Sequence, residues 1–381
     1  MPVFAFQLGH QPHISRAEIF SVLNVYTIVY KILPDYGQFL FLEIKAAFSP
    51  IKFIKILGGT IKIIENLELP DLKENTIADY LNTTIPAGKI NFSISGLNAE
   101  RLAIAVKKKL KEHDRTVRYI TPKNTATILH NDLVKTESDI TIVYNSVYIT
   151  RAIQPIEEFS ERDYGRPQSD AKSGMLPPKL ARILINLAYI SETKQKQVTI
   201  LDPFCGSGTI LLEALDLGYE NIFGSDISTQ AIADTKKNID WLKKQKNIFV
   251  SPKIFLASAT DLQTTLPHKS IDAIITEPYL GKPLRGHETK PYLMTQTQEL
   301  KELYTQTFGS FQKILKPDGI VIFVIPEFKF KNDWITVDCL SMIKKIGFQI
   351  IPFSKNEESL FYARPGQLVG RRIWKLKKST A

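Results

Sequence analysis

An apolar run, Val198–Leu201, leads straight into Asp202-Pro203-Phe204-Cys205-Gly206-Ser207-Gly208-Thr209, and a helical pattern over Thr209–Leu215 follows at once. Few folds accommodate a strand, a two-glycine turn and a helix in so little chain. Gly206 and Gly208 let the backbone bend sharply and let a ligand approach with no side chain between. Phosphate-binding loops carry a lysine or a third glycine, and neither stands here. An acid at the mouth of the loop argues further against a pyrophosphate and for a ligand with a positive end, such as the aminoacyl part of S-adenosylmethionine (SAM).

The same alternation continues downstream. Strands are predicted at Ile222–Ser225, Lys253–Leu256, Ile271–Thr276 and Gly319–Ile325, and helices near Ser228–Lys243, Thr297–Leu315 and Ile335–Ile346. A further helix starts at Pro177-Pro178, where proline suits the first turn, with Leu180, Ile183, Leu184, Leu187 and Ala188 on one face. Such alternation predicts an α/β fold, a mostly parallel sheet with helices on both faces. Two last β runs, Phe348–Phe353 and Ser359–Ala363, flank the polar turn Ser354–Glu358 and predict a terminal antiparallel hairpin.

Acids recur where the strands end. Asp226 closes the second strand, 24 residues after Asp202, placed to accept hydrogen bonds from ribose hydroxyls; the plainer reading is a helix N-cap just before Ser228. Asp261, after the third strand, is a candidate for an adenine amino group or a simple loop acid. The fourth strand runs into Glu277-Pro278-Tyr279-Leu280-Gly281. An exocyclic amine shares its lone pair with its ring. Hydrogen bonds from its protons to a carboxylate and a backbone carbonyl return density to nitrogen. Glu277 supplies the first acceptor and is a candidate to take the proton, Pro278 holds the carbonyl, and Tyr279 stacks the base. This chemistry requires no metal.

The first 153 residues follow a different order. Val3–Leu8, Thr27–Leu33, Phe39–Ile44 and Thr60–Ile64 read as strands, and Ser15–Leu23 and Pro50–Leu57 as helices, with Ser15 and Glu18 forming a capping box. That order, β-α-β-β-α-β, is the ferredoxin-like arrangement. Lys89–Ser95, Thr116–Ile120, Asp139–Tyr144 and Val147–Ile153 are further strands. Between the first two, Asn98–His113 is helical, with Leu102, Ile104, Ala105 and Leu110 expected inside. The helix carries Lys107, Lys108 and Lys111, and Arg115 follows. These cations solvate an exposed face or contact phosphates. Residues 156–174 are polar and irregular, a linker or a substrate-facing loop in which Arg162 and Arg166 are candidate contacts.

Composition narrows the class. The formal charge is +10, compatible with a polyanionic partner. Two cysteines, Cys205 and Cys339, are too few for a disulfide framework or a metal site, and predict a reducing, cytoplasmic setting. No apolar run is long enough to cross a bilayer, and the first residues do not read as a signal peptide.

Taken together, these motifs resemble the class I SAM-dependent methyltransferases. Nearly the full length is similar to one family among them, the THUMP-containing tRNA guanosine N2-methyltransferases of the guanosine-10 type. The resemblance runs through Ser15-Arg16-Ala17-Glu18-Ile19, Leu57-Gly58-Gly59-Thr60, Lys89–Ser95, Arg162–Pro167, Lys172–Ala181, Asp202–Thr209 and Tyr362–Gln367. It implies a ferredoxin-like domain at 1–70 and a THUMP domain at 71–155 that grips the tRNA acceptor end. A linker at 156–174 and a Rossmann-like catalytic domain at 175–381, with a seven-stranded sheet, complete the expectation. It further implies SAM as cofactor, held by Asp202, Pro203, Phe204, Gly206, Gly208, Thr209, Asp226 and Asp261, and tRNA as partner; with binding and catalytic modules on one chain, the sequence itself calls for no membrane and no second protein. The family's usual Asp-Pro-Pro-Tyr is Glu277-Pro278-Tyr279 here, one methylene longer in the acid and with the aromatic one place earlier. That departure leaves two alternatives beside the tRNA enzyme: an amine methyltransferase acting on DNA or rRNA, and a tRNA-binding protein without transfer activity.

Overall fold

The structure, a computed structural model, describes residues 1–45, 48–169, 175–188 and 197–379. It divides into two compact units: Met1–Pro12 with Thr27–Glu157, and His13–Tyr26 with Glu158–Ala381.

The first unit is built on one eight-stranded sheet, ordered β2-β3-β1-β4-β8-β7-β5-β6. Its strands are β1 (Val3–Leu8), β2 (Tyr30–Ile32), β3 (Phe39–Ile44), β4 (Thr60–Asn66), β5 (Ile90–Gly96), β6 (Val117–Tyr119), β7 (Asp139–Val143) and β8 (Ser146–Ile153). β4 pairs antiparallel with β8, so the sheet runs on without a break where a domain boundary at 70/71 was expected. The free edge of β4 is covered by a strand from the second half of the unit, which removes an exposed row of backbone donors and acceptors. Helix α4 (Ala99–Glu112) buries Ala103, Val106 and Leu110, while Ile104 is exposed. The apolar stripe therefore lies one residue away from the predicted face along much of the helix.

In the second unit β9 (Thr199–Asp202), β10 (Asn221–Asp226), β11 (Lys253–Leu256), β12 (Ile271–Thr276) and β13 (Leu315–Phe330) are parallel, in the order β11-β10-β9-β12-β13. β13 is buried on both faces, as the unbroken apolar run Ile320–Ile325 requires. Ile322 and Val324 join a cluster with α7 (Pro178–Leu187), α8 (Thr209–Asp216) and α9 (Thr229–Lys246). Val321, Phe323 and Ile325 face the opposite cluster, with Tyr304, Phe308 and Phe311 of α10 (Lys290–Ile314) and Ile343 of α11 (Leu340–Lys345). The topology reverses between β9 and β12, and the crevice beyond their carboxyl ends is where such sheets bind ligands.

The end of the chain departs from expectation. The two predicted runs form β15 (Phe348–Ile350) and β16 (Ser359–Tyr362), but they do not pair with each other. Both pair antiparallel with β17 (Val369–Lys378), which in turn pairs antiparallel with β13. Arg371, Arg372, Lys375, Lys377 and Lys378 give β17 the look of a basic tail, yet Ile373 and Leu376 are fully buried.

Helix α1 (Pro12–Val25) starts three residues before the predicted cap at Ser15. Ser15 and Glu18 are buried inside it, and Glu18 accepts a 2.7 Å hydrogen bond from Asn186 of α7 instead of closing a capping box. The predicted linker is folded over 156–165, as α6 (Ile156–Ser160) and a π-helical turn (Glu161–Gly165). Its last residues, 170–174, lie outside the described residues.

Candidate active site

Asp202 ends β9 and is 2% exposed. Its Oδ1 accepts from Thr276 Oγ1 at 2.7 Å and from the Phe204 backbone N–H at 3.2 Å. Burial pushes its carboxyl up to about 7, against the smaller opposing pull of those two donors. The glycine turn that follows is tied down from two sides. Asp226 at the end of β10 accepts from Gly206 N and Ser228 N at 3.0 and 2.9 Å. From α9, Thr235 Oγ1 donates to Gly206 O at 2.6 Å and Asn238 donates to Ser207 O at 2.8 Å. Gly208 has φ +89°, and a Cβ there would sit 3.1 Å from Thr235 Cγ2. A Cβ on Gly206 would meet nothing within 4 Å, so bare backbone faces open space.

That space is a cleft of about 780 Å³. Asp202, Pro203, Phe204, Gly206 and Thr209 line one side, Asp226 another, and Glu277, Pro278 and Tyr279 at the end of β12 a third. Gly208 supports the turn from behind. Asp261 is not in the lining: it is exposed and accepts from Gln263 at 2.5 Å. Ser258 and Ala259 take its place, and Ile227, Gln230, Ala231 and Asp234 also contribute.

Glu277 is held by a residue the sequence did not mark. Arg371 of β17, itself buried, donates from Nε to Oε1 at 2.5 Å and from Nη2 to Oε2 at 3.3 Å. The carboxylate holds the guanidinium pKa above its usual value against the opposing effect of desolvation, the largest single contribution. Tyr279 is half exposed, and its carbonyl is fixed by the Tyr304 hydroxyl at 2.7 Å. At Gly281, φ +96°, a Cβ would fall 2.6 Å from Gln296 Oε1, which accepts from Lys282 N. The strand end thus presents an acid, a proline and an aromatic ring on a fixed backbone.

The predicted RNA contacts are not among the residues that line this cleft. Lys108 and Lys111 are exposed on α4, and Lys107 is partly buried there. Arg115 is consumed within the first unit, donating to Ile85 O at 2.6 Å, Gly88 O at 3.2 Å and the side chain of Asn82. Arg162 is 2% exposed and ion-paired with Glu213 at 2.5 Å; Arg182 shares Glu213 and Asp216. The two guanidinium carbons lie 4.7 and 4.9 Å from the centre of the Phe159 ring. Arg166 is also buried, donating to Thr209 Oγ1 at 2.7 Å. Neither Arg162 nor Arg166 faces solvent, because the polar segment that carries them packs against α8.

Residues 166–345 match the family model described as RMKL-like, methyltransferase domain. The chain is 26% identical over 200 residues to the tRNA (guanine(10)-N2)-dimethyltransferase of Pyrococcus abyssi, covering 51% of each chain. To the Methanocaldococcus jannaschii protein of the same name it is 23% identical over 189 residues, 49% of this chain and 48% of that one. The chain thus spans about half the length of the curated relatives it matches. Among solved structures, TrmN from Thermus thermophilus superposes with a TM-score of 0.55 at 15% identity, covering 99% of both chains, a likeness of fold.

SAM, the methyl donor of such domains, fits the residues present. Asp202, fully buried, has no cation among its hydrogen-bond partners in the described residues and suits a positive group; Asp226 stands ready for hydroxyls; bare backbone at Gly206 permits close approach. The second unit therefore has the α/β fold of a class I, SAM-dependent methyltransferase, and its residues 166–345 are similar to the RMKL-like methyltransferase domain.

Proposed function

We propose that this protein methylates the exocyclic N2 amine of a guanosine in tRNA. The observation that carries it is the convergence of Glu277, Pro278 and Tyr279 on the cleft that Asp202 and Asp226 line. The names of the Pyrococcus and Methanocaldococcus relatives support the substrate.

When bound, SAM supplies an electrophilic methyl carbon: its bond to sulfur breaks as the bond to N2 forms, leaving S-adenosylhomocysteine and one proton. Glu277 accepts a hydrogen bond from the amine, and the Pro278 carbonyl, on a backbone held by Tyr304, accepts another. Both draw density onto nitrogen and aim its lone pair. Each carboxylate oxygen has two lone pairs, so engagement by Arg371 leaves acceptor sites open. Tyr279 stacks on the extruded base.

We read residues 1–70 as a ferredoxin-like module, supported by the strand order β2-β3-β1-β4, and residues 71–155 as a THUMP RNA-binding module on the same sheet. Lys107, Lys108 and Lys111 are its candidate phosphate contacts. No helix among the described residues is long and apolar enough to cross a membrane. We place the protein in the cytoplasm with its tRNA.

Incubation with unmodified tRNA transcripts and methyl-labelled SAM, followed by digestion to nucleosides, tests the assignment. Label in N2-methylguanosine is expected; label in another nucleoside contradicts it. One observation favours a second reading, a tRNA-binding protein without transfer activity: Arg371 engages both oxygens of Glu277. Cofactor and tRNA binding with no label would establish that reading.

A further inference from the structure

Arg166 differs from the other buried arginines around it. Arg162 and Arg182 are ion-paired with Glu213 and Asp216, although Arg162 Nη1 has no hydrogen-bond partner among the described residues. Arg166, 4% exposed, has no carboxylate within ion-pair distance among the described residues. Its Nη1 donates to Thr209 Oγ1 at 2.7 Å, its Nη2 lies 2.8 Å from Met175 Sδ, and its buried Nε has no partner among the described residues. Burial lowers the pKa of its guanidinium, with Asp163 and Glu213 opposing from a distance. A fixed, desolvated cation left without a counter-ion is costly unless a ligand supplies one.

Its position indicates which ligand. Thr209 is the first residue of α8, whose first-turn N–H groups have no partners within the helix and carry its positive end. Thr209, Ser207 and Met175 all line the cleft, whereas Arg166 stands just behind them. Asp202 and Asp226, at the neighbouring strand ends, disfavour a phosphate dianion. A carboxylate on the same carbon as an ammonium group satisfies both signs, the ammonium towards Asp202 and the carboxylate towards α8.

We infer that the Thr209 hydroxyl, backed by the charge of Arg166, forms the carboxylate subsite of the cleft for the α-carboxylate of the cofactor's aminoacyl end. This rests on the reading of the cleft as a SAM site. Arg166 is a positioning residue there, supplying charge behind Thr209.

Calorimetric titration separates the possibilities with two ligands, S-adenosylhomocysteine, which carries the aminoacyl group, and 5′-methylthioadenosine, which lacks it. Arg166→Met is expected to weaken the first about 10- to 100-fold, the scale of a lost charged hydrogen bond, and the second less than about twofold. Arg166→Lys is expected to recover part of the loss. Retained binding of 5′-methylthioadenosine also reports that the variant's cleft is folded. Equal losses for both ligands, or no loss for either, would overturn the subsite. A wild-type protein that binds neither ligand would overturn the cofactor reading and the subsite with it.

Discussion

Arg371 and Glu277 stand 94 positions apart in sequence, on an antiparallel strand near the chain's end and just past a parallel one, and form a two-pronged ion pair at the wall of the cleft. The side chains are 8% and 11% exposed, so water does little to screen or replace the pairing. Removing one partner leaves a buried charge, which costs about 3–5 kcal/mol. Arg371→Met should lower unfolding stability by that order, about 3–5 kcal/mol. In a Glu277→Gln background the same substitution should cost less by about 0.5–3 kcal/mol. A denaturation series over the two singles and the double checks this; strict additivity would mean the pair is not coupled.

Glu277→Gln keeps the shape of the acceptor and removes its charge. Methyl transfer should fall by about 100- to 1,000-fold, the usual loss for one preorganised electrostatic group. Affinity for S-adenosylhomocysteine should change little, because the cofactor is assigned to Asp202, Asp226 and the glycine turn. Parallel transfer and calorimetric measurements test this, and a matched fall in both would place Glu277 in the cofactor site.

Tyr279→Ala should weaken RNA binding by about 1–3 kcal/mol, the value of one base stacked on an aromatic ring. Tyr279→Phe should retain most of the affinity, since the ring does the stacking. Loss in the phenylalanine variant would point to the hydroxyl instead.

Asp202 ties stability to pH. Its carboxyl titrates near 3.8 when unfolded and about 7 when folded, so the folded state binds the extra proton between those values. The contribution to stability is full below 3.8 and is lost as pH rises to about 7, a change on the order of 4 kcal/mol. Asp202→Asn should therefore make the ligand-free protein more stable at pH 8 while weakening cofactor binding. Wild-type affinity for S-adenosylhomocysteine should rise with pH through about 7, and that of the variant should not. Thermal melts and titrations across this range decide it; a variant less stable at pH 8 would contradict the account.

The sequence made the glycine turn readable because its constraints are local. Strand, acid, Gly206, Gly208 and helix follow within a dozen residues, and each has a backbone reason to be there. Asp226 and Glu277 were found by the same logic, as acids at strand ends. Asp261 shows its limit, since the direction of an exposed loop side chain depends on neighbours such as Gln263. Arg371 could not be read, because its partner lies 94 residues away and its strand is masked by basic residues. Arg162 and Arg166 failed for the converse reason. A polar segment looks solvent-facing until the buried Glu213 and the cleft behind Thr209 are known.

We assign the guanine 2-amino nitrogen as the acceptor atom. Once the labelled guanosine has been located in a transcript, the most direct measurement replaces that residue with inosine, which lacks only this amine, and repeats transfer from methyl-labelled SAM. Label is expected in the guanosine transcript and none at the inosine position, with tRNA binding retained. Equal label in both transcripts would contradict it, since methylation would then occur at a different atom.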